Sequence, residues 1–309
     1  MTFVILLILV AIIAIPYVRE WRRKPMDERA RQDLPGEMVT LSQGNTYFRW
    51  HGPLRGPVAV CVHGLSTPSF VWDGMAGGLS AMGYRVLTYD LYGRGYSDRV
   101  PGTQDAAFFV RQLEDLLESQ KVGDDITLFG YSMGGAIATS FASTHIDRVR
   151  HLVLLAPSGA KSSQGRMVRF IRDTPVLGDW LMLAHFPRKY LRGTEAERDL
   201  PSSVPGIVDL QQRELNYRGY IAAILSSLRG ILSNDLETEH RHIHSEGVPV
   251  LAIWGRKDEV IPKSAIGKLS EWSRDARQEM IDDAGHGLPY THTDQIMQIL
   301  GQRLREGLN

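Results

Sequence analysis

The 309-residue sequence is poor in cysteine and has no excess of either charge. Cys61 is the only cysteine, so no disulfide can form within the chain, and its apolar setting, VAVCV, is typical of a buried, inert thiol. Thirty-five basic residues balance 35 acidic ones, leaving a formal net charge of zero. Nothing in this balance attracts a polyanion, and we therefore expect no nucleic-acid partner. The sequence also lacks internal repeats and low-complexity tracts.

One long apolar run stands at the amino terminus. Residues 3–15 are uninterrupted apolar sequence, and the basic stretch REWRRK follows at residues 19–24. As a helix, about 16 residues would reach about 24 Å, close enough to the ~30 Å hydrocarbon core for flanking anchors to bridge the difference. We predict a single membrane anchor over residues 1–18 and a juxtamembrane linker over residues 19–36. A buried or interfacial helix is the alternative.

The position of the positive charge bears on targeting and orientation. A cleaved signal peptide carries its basic residues before the apolar run, whereas here they follow it. By the positive-inside tendency, the same residues favour a cytoplasmic location for the domain that follows.

Beyond residue 36 the chain alternates short apolar runs with stretches of helical spacing. MVTLSQGNTYFRWHG, residues 38–52, predicts an antiparallel hairpin. Further strands are predicted at residues 58–62, 85–89, 126–129, 152–155 and 248–254. Helices are predicted at residues 70–82, 106–120, 133–145 and 263–272. The alternation predicts an α/β fold with a mostly parallel sheet, helices on both faces, and ligands at the carboxyl ends of the strands.

A segment over residues 159–245 breaks this alternation. It contains apolar helical material, such as RMVRFIRDTPVLGDWLMLAHF and YIAAILSSLRGIL, interrupted by prolines. Because strands of one sheet bracket so short a segment, we predict a helical cap inserted into a core formed by residues 37–158 and 246–309. An independent second domain is the alternative.

The sequence FGYSMGG, residues 129–135, places three glycines around one serine directly after an apolar run. A serine hydroxyl becomes a useful nucleophile only if a base takes its proton and donors stabilise the resulting oxyanion. A sharp turn between strand and helix would lift Ser132 above the sheet, and glycine at 130 and 134 removes β-carbons that would collide there. A chance glycine-rich turn is the alternative. A phosphate-binding loop is excluded because no Lys-Ser/Thr pair follows the glycines.

Two later loops offer a base and an acid for Ser132. Asp258 follows a predicted strand in WGRKDEVIP, and His286 follows the next strand in IDDAGHGLPY. The chain order serine, acid, histidine is the order expected for such a turn. We predict that His286 deprotonates Ser132 and that Asp258 orients the imidazole. Asp90 is the strongest alternative acid; weaker ones are Glu259, Asp282 and Asp283.

Two backbone N–H groups are expected to stabilise the oxyanion. One belongs to Met133, directly after the serine, and the other to Leu65 in the loop HGLS. His63 in that loop is expected to brace it by hydrogen bonding rather than to act as the base. We expect no metal and no cofactor. The histidines of EHRHIH alternate, as metal ligands on one face of an extended segment could, but they lack accompanying carboxylates or cysteines. A solvated segment at the end of the cap is therefore the favoured interpretation of His240, His242 and His244.

Five motifs together resemble those of the α/β-hydrolase superfamily, and look most like its esterase and monoacylglycerol-lipase-like branch. They are HGLSTPSFVWD, YDLYGRGYSD, GYSMGGAIA, GRKDEVIP and DAGH, and the similarity spans roughly residues 37–305. The resemblance implies a triad of Ser132, Asp258 and His286, with Leu65 and Met133 as oxyanion donors. A serine nucleophile argues against the dehalogenase and epoxide-hydrolase branches, whose nucleophile is a carboxylate. The superfamily also contains carbon–carbon bond hydrolases, acyltransferases and non-catalytic receptors.

The substrate is predicted from the cap and the apolar amino terminus. A cap rich in Leu, Ile, Phe, Met and Trp would cover an apolar acyl pocket, and its arginines would meet lipid headgroups: Arg166, Arg169, Arg172, Arg188 and Arg192. The alternative is that these residues form the cap's own core and its solvated face. We predict a membrane-anchored serine hydrolase of carboxylic esters, with mono-acyl lipids or similar apolar acyl esters as the favoured substrates, acting through an acyl-enzyme on Ser132. Carbon–carbon bond hydrolysis, acyl transfer or ligand binding without turnover are the alternatives, and the oligomeric state is not predicted.

Overall fold

An eight-stranded sheet forms the centre of the molecule. The computed structural model describes residues 2–160 and 165–306. In chain order the strands are β1 (Glu37–Thr40), β2 (Asn45–His51), β3 (Val58–Val62), β4 (Arg85–Tyr89), β5 (Ile126–Tyr131), β6 (Val149–Leu155), β7 (Val250–Gly255) and β8 (Arg277–Ile281). Across the sheet their order is β1-β2-β4-β3-β5-β6-β7-β8. β2 is antiparallel to both of its neighbours and all other pairs are parallel, which confirms the predicted hairpin and the mostly parallel sheet.

Helices surround this sheet and continue beyond it. They are α1 (Thr2–Trp21), α2 (Asp73–Ala81), α3 (Ala106–Ser119), α4 (Met133–Thr144), α5 (Arg166–Asp173), α6 (Leu177–Glu195), α7 (Ile207–Arg213), α8 (Tyr220–Arg229), α9 (Glu237–Ser245), α10 (Ser264–Trp272), α11 (Leu288–Thr291) and α12 (Thr293–Glu306). α2 packs with α12, while α3, α4, α9 and α10 form a second contiguous group. The sheet is therefore covered by two layers of helices, as a parallel sheet requires.

The central strands bring their carboxyl ends to one edge of the sheet. β3 and β5 are almost entirely buried and consist mainly of apolar residues, which is why neither shows a polar face in the sequence. Their parallel register pairs Val62 with Gly130, and that of β5 and β6 pairs Tyr131 with Leu155. The loops that follow β3, β5 and β7 therefore meet at this edge, where a ligand of such a fold binds.

The helices α5 to α9 lie between β6 and β7. Residues 161–164 of the predicted cap fall outside the described residues. α6 and α8 share a small apolar core of their own, formed by Met182, Leu215, Tyr220, Ile221, Ile224 and Leu225. Leu65 of the sheet domain packs against this core, so the cap is joined to the loop after β3 by direct contact.

The predicted solvated segment at the end of the cap was wrong for one of its three histidines. The sequence EHRHIH is part of α9, whose helical period turns His240 inward. His240 is buried and its ring stacks on Trp272 with 6.0 Å between centroids. No group of metal-ligating side chains occurs among the described residues.

α1 docks on the cap. It extends past the predicted boundary at residue 18, and the indole Nε1 of Trp180 on α6 donates to the carbonyl of Ile13 at 3.1 Å. At its end the Gly219 N–H donates to the Glu20 carboxylate at 2.7 Å. Most of the described apolar side chains of α1 are exposed. The helix has the length and composition of a membrane-crossing helix, criteria that an amino-terminal signal sequence also meets.

Candidate active site

Ser132 lies on a strained turn between β5 and α4. Its backbone adopts φ 54° and ψ −118°, a conformation that costs a residue with a side chain on the order of 1–3 kcal/mol. The neighbouring strand holds it there, because the Ser132 N–H donates to the Leu155 carbonyl at 3.0 Å. A β-carbon at Gly130 would lie 2.5 Å from the Gly134 carbonyl oxygen, and one at Gly134 would collide with the backbone of β3. Glycine is thus required at both positions, because neighbouring backbone atoms leave no room for a β-carbon.

The structure brings Ser132, His286 and Asp258 into one hydrogen-bonded chain. His286 Nε2 lies 3.0 Å from Ser132 Oγ, and His286 Nδ1 lies 2.8 Å from Asp258 Oδ2. The other carboxylate oxygen, Oδ1, accepts the backbone N–H groups of Val260 at 2.7 Å and Ile261 at 2.9 Å. With Asp258 fixed by the backbone, the imidazole is oriented so that Nδ1 carries the proton and Nε2 faces the serine.

Asp258 is held as a carboxylate. Burial acts to raise its pKa, but the hydrogen bond from His286, the attraction to that residue and the two backbone N–H groups outweigh burial and leave the pKa below its usual value. The Asp258 side chain is 4% exposed and His286 21%, so the negative charge faces the imidazole rather than water. A permanent negative charge at this position stabilises the imidazolium that would form when Ser132 loses its proton.

The alternative acids lie elsewhere. Asp90 is buried, and its carboxylate accepts the backbone N–H groups of Ser69 at 2.9 Å and Tyr96 at 2.8 Å, which shapes the loop after β4. Burial raises its pKa despite these hydrogen bonds. Among the weaker candidates, Asp282 pairs with Arg256, Asp283 pairs with His292, and Glu259 is exposed. None of them is hydrogen-bonded to His286 among the described residues.

The loop HGLS, residues 63–66, lies against Ser132. A β-carbon at Gly64 would lie 3.3 Å from the β-carbon of Ser132, so this glycine permits the close approach. Leu65 lines the same cavity as Ser132. Met133 begins α4, and its N–H therefore has no acceptor within the helix. Both predicted oxyanion donors thus belong to segments that border the serine.

His63 joins this loop to the loop after β4. Its Nδ1 lies 2.8 Å from the Gly64 carbonyl, and its Nε2 accepts the Leu91 N–H at 2.9 Å, which assigns the proton to Nδ1. Burial lowers the pKa of His63 to about 3, so the ring is neutral at physiological pH. Its position and contacts suit the bracing role expected from the sequence.

Three residues that the sequence did not single out hold the same loop. Arg94 is fully buried, and its Nε donates to the Leu65 carbonyl at 3.0 Å. From the cap, the hydroxyl groups of Tyr190 and Tyr220 both donate to the Ser66 carbonyl, at 2.9 and 2.8 Å. The only sequence signal was that Arg94 lies within YDLYGRGYSD; nothing marked the two tyrosines, because their contacts depend on how the cap folds.

Two cavities border the triad. The first, of about 310 Å³, is lined by Ser132 and His286 and by apolar side chains that include Leu232 and Ile261. The second, of about 530 Å³, lies under the cap and is also lined by His286, but its walls are formed largely by cap residues such as Met182 and Phe186. Ser132 and His286 thus lie at the edge of two mostly apolar cavities.

Comparisons with known proteins agree with this class. A family model for the alpha/beta hydrolase fold matches residues 57–293. Lipase 3 of Moraxella sp. (strain TA144) is 25% identical over 268 residues, which cover 84% of this chain and 81% of the lipase. The crystal structure of a membrane phospholipase A, a bacterial virulence factor, has a TM-score of 0.72 and 19% identity over 99% of this chain and 96% of that chain. A meta-cleavage product hydrolase from Pseudomonas fluorescens IP01 has a TM-score of 0.67 and 19% identity over 88% and 98%.

The chain belongs to the alpha/beta hydrolase fold family, because the family match covers well over half of it. The two solved structures share under 25% identity and carry the fold alone. Curated relatives named as lipases and esterases match this chain over most of their own length, which places the chain among hydrolases.

Proposed function

We propose that this protein is a serine hydrolase that cleaves carboxylic esters with apolar acyl groups, with mono-acyl lipids as the favoured class. The observation that carries the proposal is the hydrogen-bonded chain from Asp258 through His286 to Ser132 at the edge of two cavities. A serine in this environment has a base within reach, an acid that fixes the base, and backbone donors beside it.

The proposed reaction has two halves. His286 Nε2 takes the Ser132 hydroxyl proton while Oγ attacks the ester carbonyl, and the N–H groups of Leu65 and Met133 stabilise the oxyanion that forms. The tetrahedral intermediate collapses when His286 gives its proton to the leaving alcohol oxygen, and an acyl-enzyme remains on Ser132. Water then attacks this ester with His286 as its base, and a second collapse releases the carboxylic acid and restores the hydroxyl group.

The apolar character of the substrate is supported by the cavities and the named relatives. The first cavity contacts Ser132 directly and its wall is mainly apolar, which suits an acyl chain. A relative named as a lipase agrees with a lipid-like ester.

We also propose that α1 anchors the enzyme in a membrane, with the catalytic domain on the cytoplasmic side. Four basic residues follow the apolar run, Arg19, Arg22, Arg23 and Lys24, on the side that the positive-inside tendency assigns to the cytoplasm. α1 packs on α6, which also supplies walls of the second cavity. A lipid in the bilayer would therefore have a short path from α1 to the triad.

The test is hydrolysis of p-nitrophenyl esters of increasing acyl length by the full-length chain in detergent micelles, beside its Ser132→Ala variant. We expect activity in the parent protein, a loss of at least about 10⁴-fold in the variant, and a preferred chain length set by the first cavity. Thermal unfolding of the two proteins should coincide within a few degrees, since only one oxygen atom is removed.

Two results would contradict the proposal. If the Ser132→Ala variant keeps its activity, Ser132 does not take part in the reaction. A folded parent protein that cleaves no ester in the series would favour carbon–carbon bond hydrolysis, acyl transfer or ligand binding without turnover.

A further inference from the structure

The juxtamembrane linker is bound to the cap at its start. The Glu20 carboxylate oxygen Oε1 accepts the Gly219 N–H at 2.7 Å. Further along the linker, the Lys24 N–H donates to the Asn216 carbonyl at 3.0 Å, and the Arg218 N–H donates to the Lys24 carbonyl at 2.9 Å. The linker and the segment before α8 thus pair as a short parallel bridge. The end of α1 is therefore fixed to the cap by backbone and side chain together.

The linker is also bound to the loop after β4. Arg31 Nε donates to the Tyr96 carbonyl at 2.9 Å, and Arg31 Nη2 pairs with Asp98 Oδ1 at 2.5 Å. The Arg31 side chain is 13% exposed, so this ion pair is partly shielded from solvent and salt. The linker therefore contacts both the cap and the loop after β4, the two elements whose side chains bond to the loop HGLS.

Glu20 contacts α8 at the point where that helix begins. Gly219 precedes α8 and adopts φ 86°, in the left-handed region that favours glycine, and it has no side chain that could cap the helix. The Glu20 side chain is 15% exposed and brings a carboxylate to this helix start. A negative charge is favourable there because the first N–H groups of a helix carry partial positive charge. Glu20 thus supplies from α1 the cap that Gly219 lacks.

Arg99, in the loop after β4, packs against the same glycine. A β-carbon at Gly219 would lie 2.7 Å from Arg99 Cγ. The Arg99 guanidinium donates to three carbonyls of its own loop, at 2.6 to 3.2 Å, so its position is fixed. Gly219 is therefore supported by a fixed side chain from the sheet domain and by Glu20 from α1. Loss of the Glu20 contact would remove one of these two supports.

α8 carries a tyrosine that bonds to the loop HGLS. Tyr220 is the first residue of α8, is fully buried, and donates from its hydroxyl to the Ser66 carbonyl at 2.8 Å. Ser66 directly follows Leu65, whose N–H is one of the two predicted oxyanion donors. A path of direct contacts thus leads from Glu20 through Gly219 and Tyr220 to the backbone beside this donor.

We propose that Glu20 is a positioning residue for the ester hydrolysis proposed above, on which this role rests. Its carboxylate fixes the start of α8 and, through Tyr220, the loop HGLS beside Ser132. The apolar helix that would anchor the enzyme therefore also supports its active site. Glu20 is not among the residues that line either cavity, so it should affect the rate of the chemical step more than the binding of the substrate.

Kinetics with p-nitrophenyl butyrate test this role in the full-length chain in detergent micelles. This short ester is soluble, so its access to the site does not depend on delivery from a bilayer. Glu20→Ala should lower kcat about three- to tenfold, the effect of losing one hydrogen bond, with little change in KM. Glu20→Gln keeps an oxygen that accepts the Gly219 N–H and should retain most of the parent kcat.

A double-mutant cycle with Tyr220→Phe shows whether Glu20 acts through that tyrosine. If it does, adding Glu20→Ala to Tyr220→Phe should lower kcat by less than about twofold more. Glu28→Ala is the matched control, because Glu28 is an exposed residue of the same linker, and it should keep the parent kcat. Glu20→Asp, whose shorter side chain withdraws the carboxylate from Gly219, replaces Glu20→Ala if that variant does not fold.

Three results would overturn the role of Glu20 in an enzyme that cleaves the ester. An unchanged kcat in Glu20→Ala would mean that the contact does not position the loop. Effects of Glu20→Ala and Tyr220→Phe that multiply in the double variant would exclude the path through Tyr220. An equal loss in Glu28→Ala would assign the effect to general disturbance of the linker. If the parent protein cleaves no ester at all, it is the proposed function that fails.

Discussion

The turn that carries Ser132 and the cap that covers it are built in different ways. At the turn, the conformation is imposed by contacts between backbone segments: glycines allow their close approach, and the Ser132 N–H donates to the Leu155 carbonyl of the adjacent strand. The cap, in contrast, contacts the loop after β3 through side chains. Tyr190 and Tyr220 bond to the loop HGLS, residues 63–66, which we call the oxyanion loop. They reach it only because α6 and α8 pack together around a separate apolar core.

This difference predicts how each region responds to mutation. Substitutions of Ser132 and of the residues hydrogen-bonded to its side chain should abolish activity while the protein stays folded, because the surrounding sheet supports the turn. Substitutions in the cap should lower activity only partly, because Tyr190, Tyr220 and Arg94 all donate hydrogen bonds to the oxyanion loop.

The largest effect is expected from Asp258→Asn. The amide would donate to His286 Nδ1 rather than accept from it, so the imidazole would take the tautomer with its proton on Nε2, facing Ser132. We expect kcat for ester hydrolysis to fall by about 10⁴, with little change in thermal unfolding. Steady-state kinetics with a p-nitrophenyl ester measures the loss.

Asp90→Asn is the control for that assignment. Asp90 shapes the loop after β4 and has no contact with His286. It should lower the unfolding temperature while kcat of the folded fraction stays within about tenfold of the parent value. The reverse pattern, a loss of about 10⁴ in Asp90→Asn but not in Asp258→Asn, would transfer the role of the acid to Asp90.

An intermediate effect is expected when the cap releases the oxyanion loop. Burial raises the pKa of both Tyr190 and Tyr220, so their hydroxyl groups remain donors across the accessible pH range. In the double variant Tyr190→Phe and Tyr220→Phe, the Ser66 carbonyl loses both donors while the rings remain. We expect kcat to fall about 10- to 100-fold with a smaller change in KM, because a displaced oxyanion donor weakens the transition state more than the ground state.

Tyr217→Phe serves as the matched control for the tyrosine pair. It removes a hydroxyl group from the same part of the cap, and that group has no described bond to the oxyanion loop. If Tyr217→Phe lowers kcat as much as the double variant does, general loosening of the cap explains the loss. If the double variant retains full kcat, Arg94 alone holds the loop.

The smallest effect concerns stability rather than chemistry. Burial lowers the pKa of His240 to about 4 from 6.5, so below pH 6.5 the unfolded chain takes up a proton that the folded protein refuses. Stability is therefore lost as the pH falls from about 6.5 towards about 4, by about 2 kcal/mol at pH 5 from this residue. His240→Phe keeps a ring against Trp272 and should make the free energy of unfolding less dependent on pH.

Urea unfolding at pH 7.5 and pH 5 measures this dependence. His242→Phe, an exposed position on the same helix, should leave the difference between the two pH values as it is in the parent protein. An unchanged difference in His240→Phe would mean that His240 is not kept neutral by the fold.

The sequence predicted the sheet domain better than the cap for a physical reason. Strands, turns and the serine elbow are specified by neighbouring residues, so the hairpin and the strand before Ser132 were identified from short segments. α12 was not predicted at all, and the inward position of His240 was missed because an alternation of histidines in the sequence resembles an extended strand.

The hydrogen bonds on this loop couple the cap to the sheet domain. The consecutive carbonyls of Leu65 and Ser66 are held from the loop after β4 and from two cap helices, so the position of the predicted Leu65 donor depends on the particular cap present. A chimera that exchanged this cap for that of another hydrolase would therefore change catalytic rate as well as substrate choice. Transplanting specificity onto this scaffold requires carrying hydroxyl donors equivalent to Tyr190 and Tyr220 along with the new pocket.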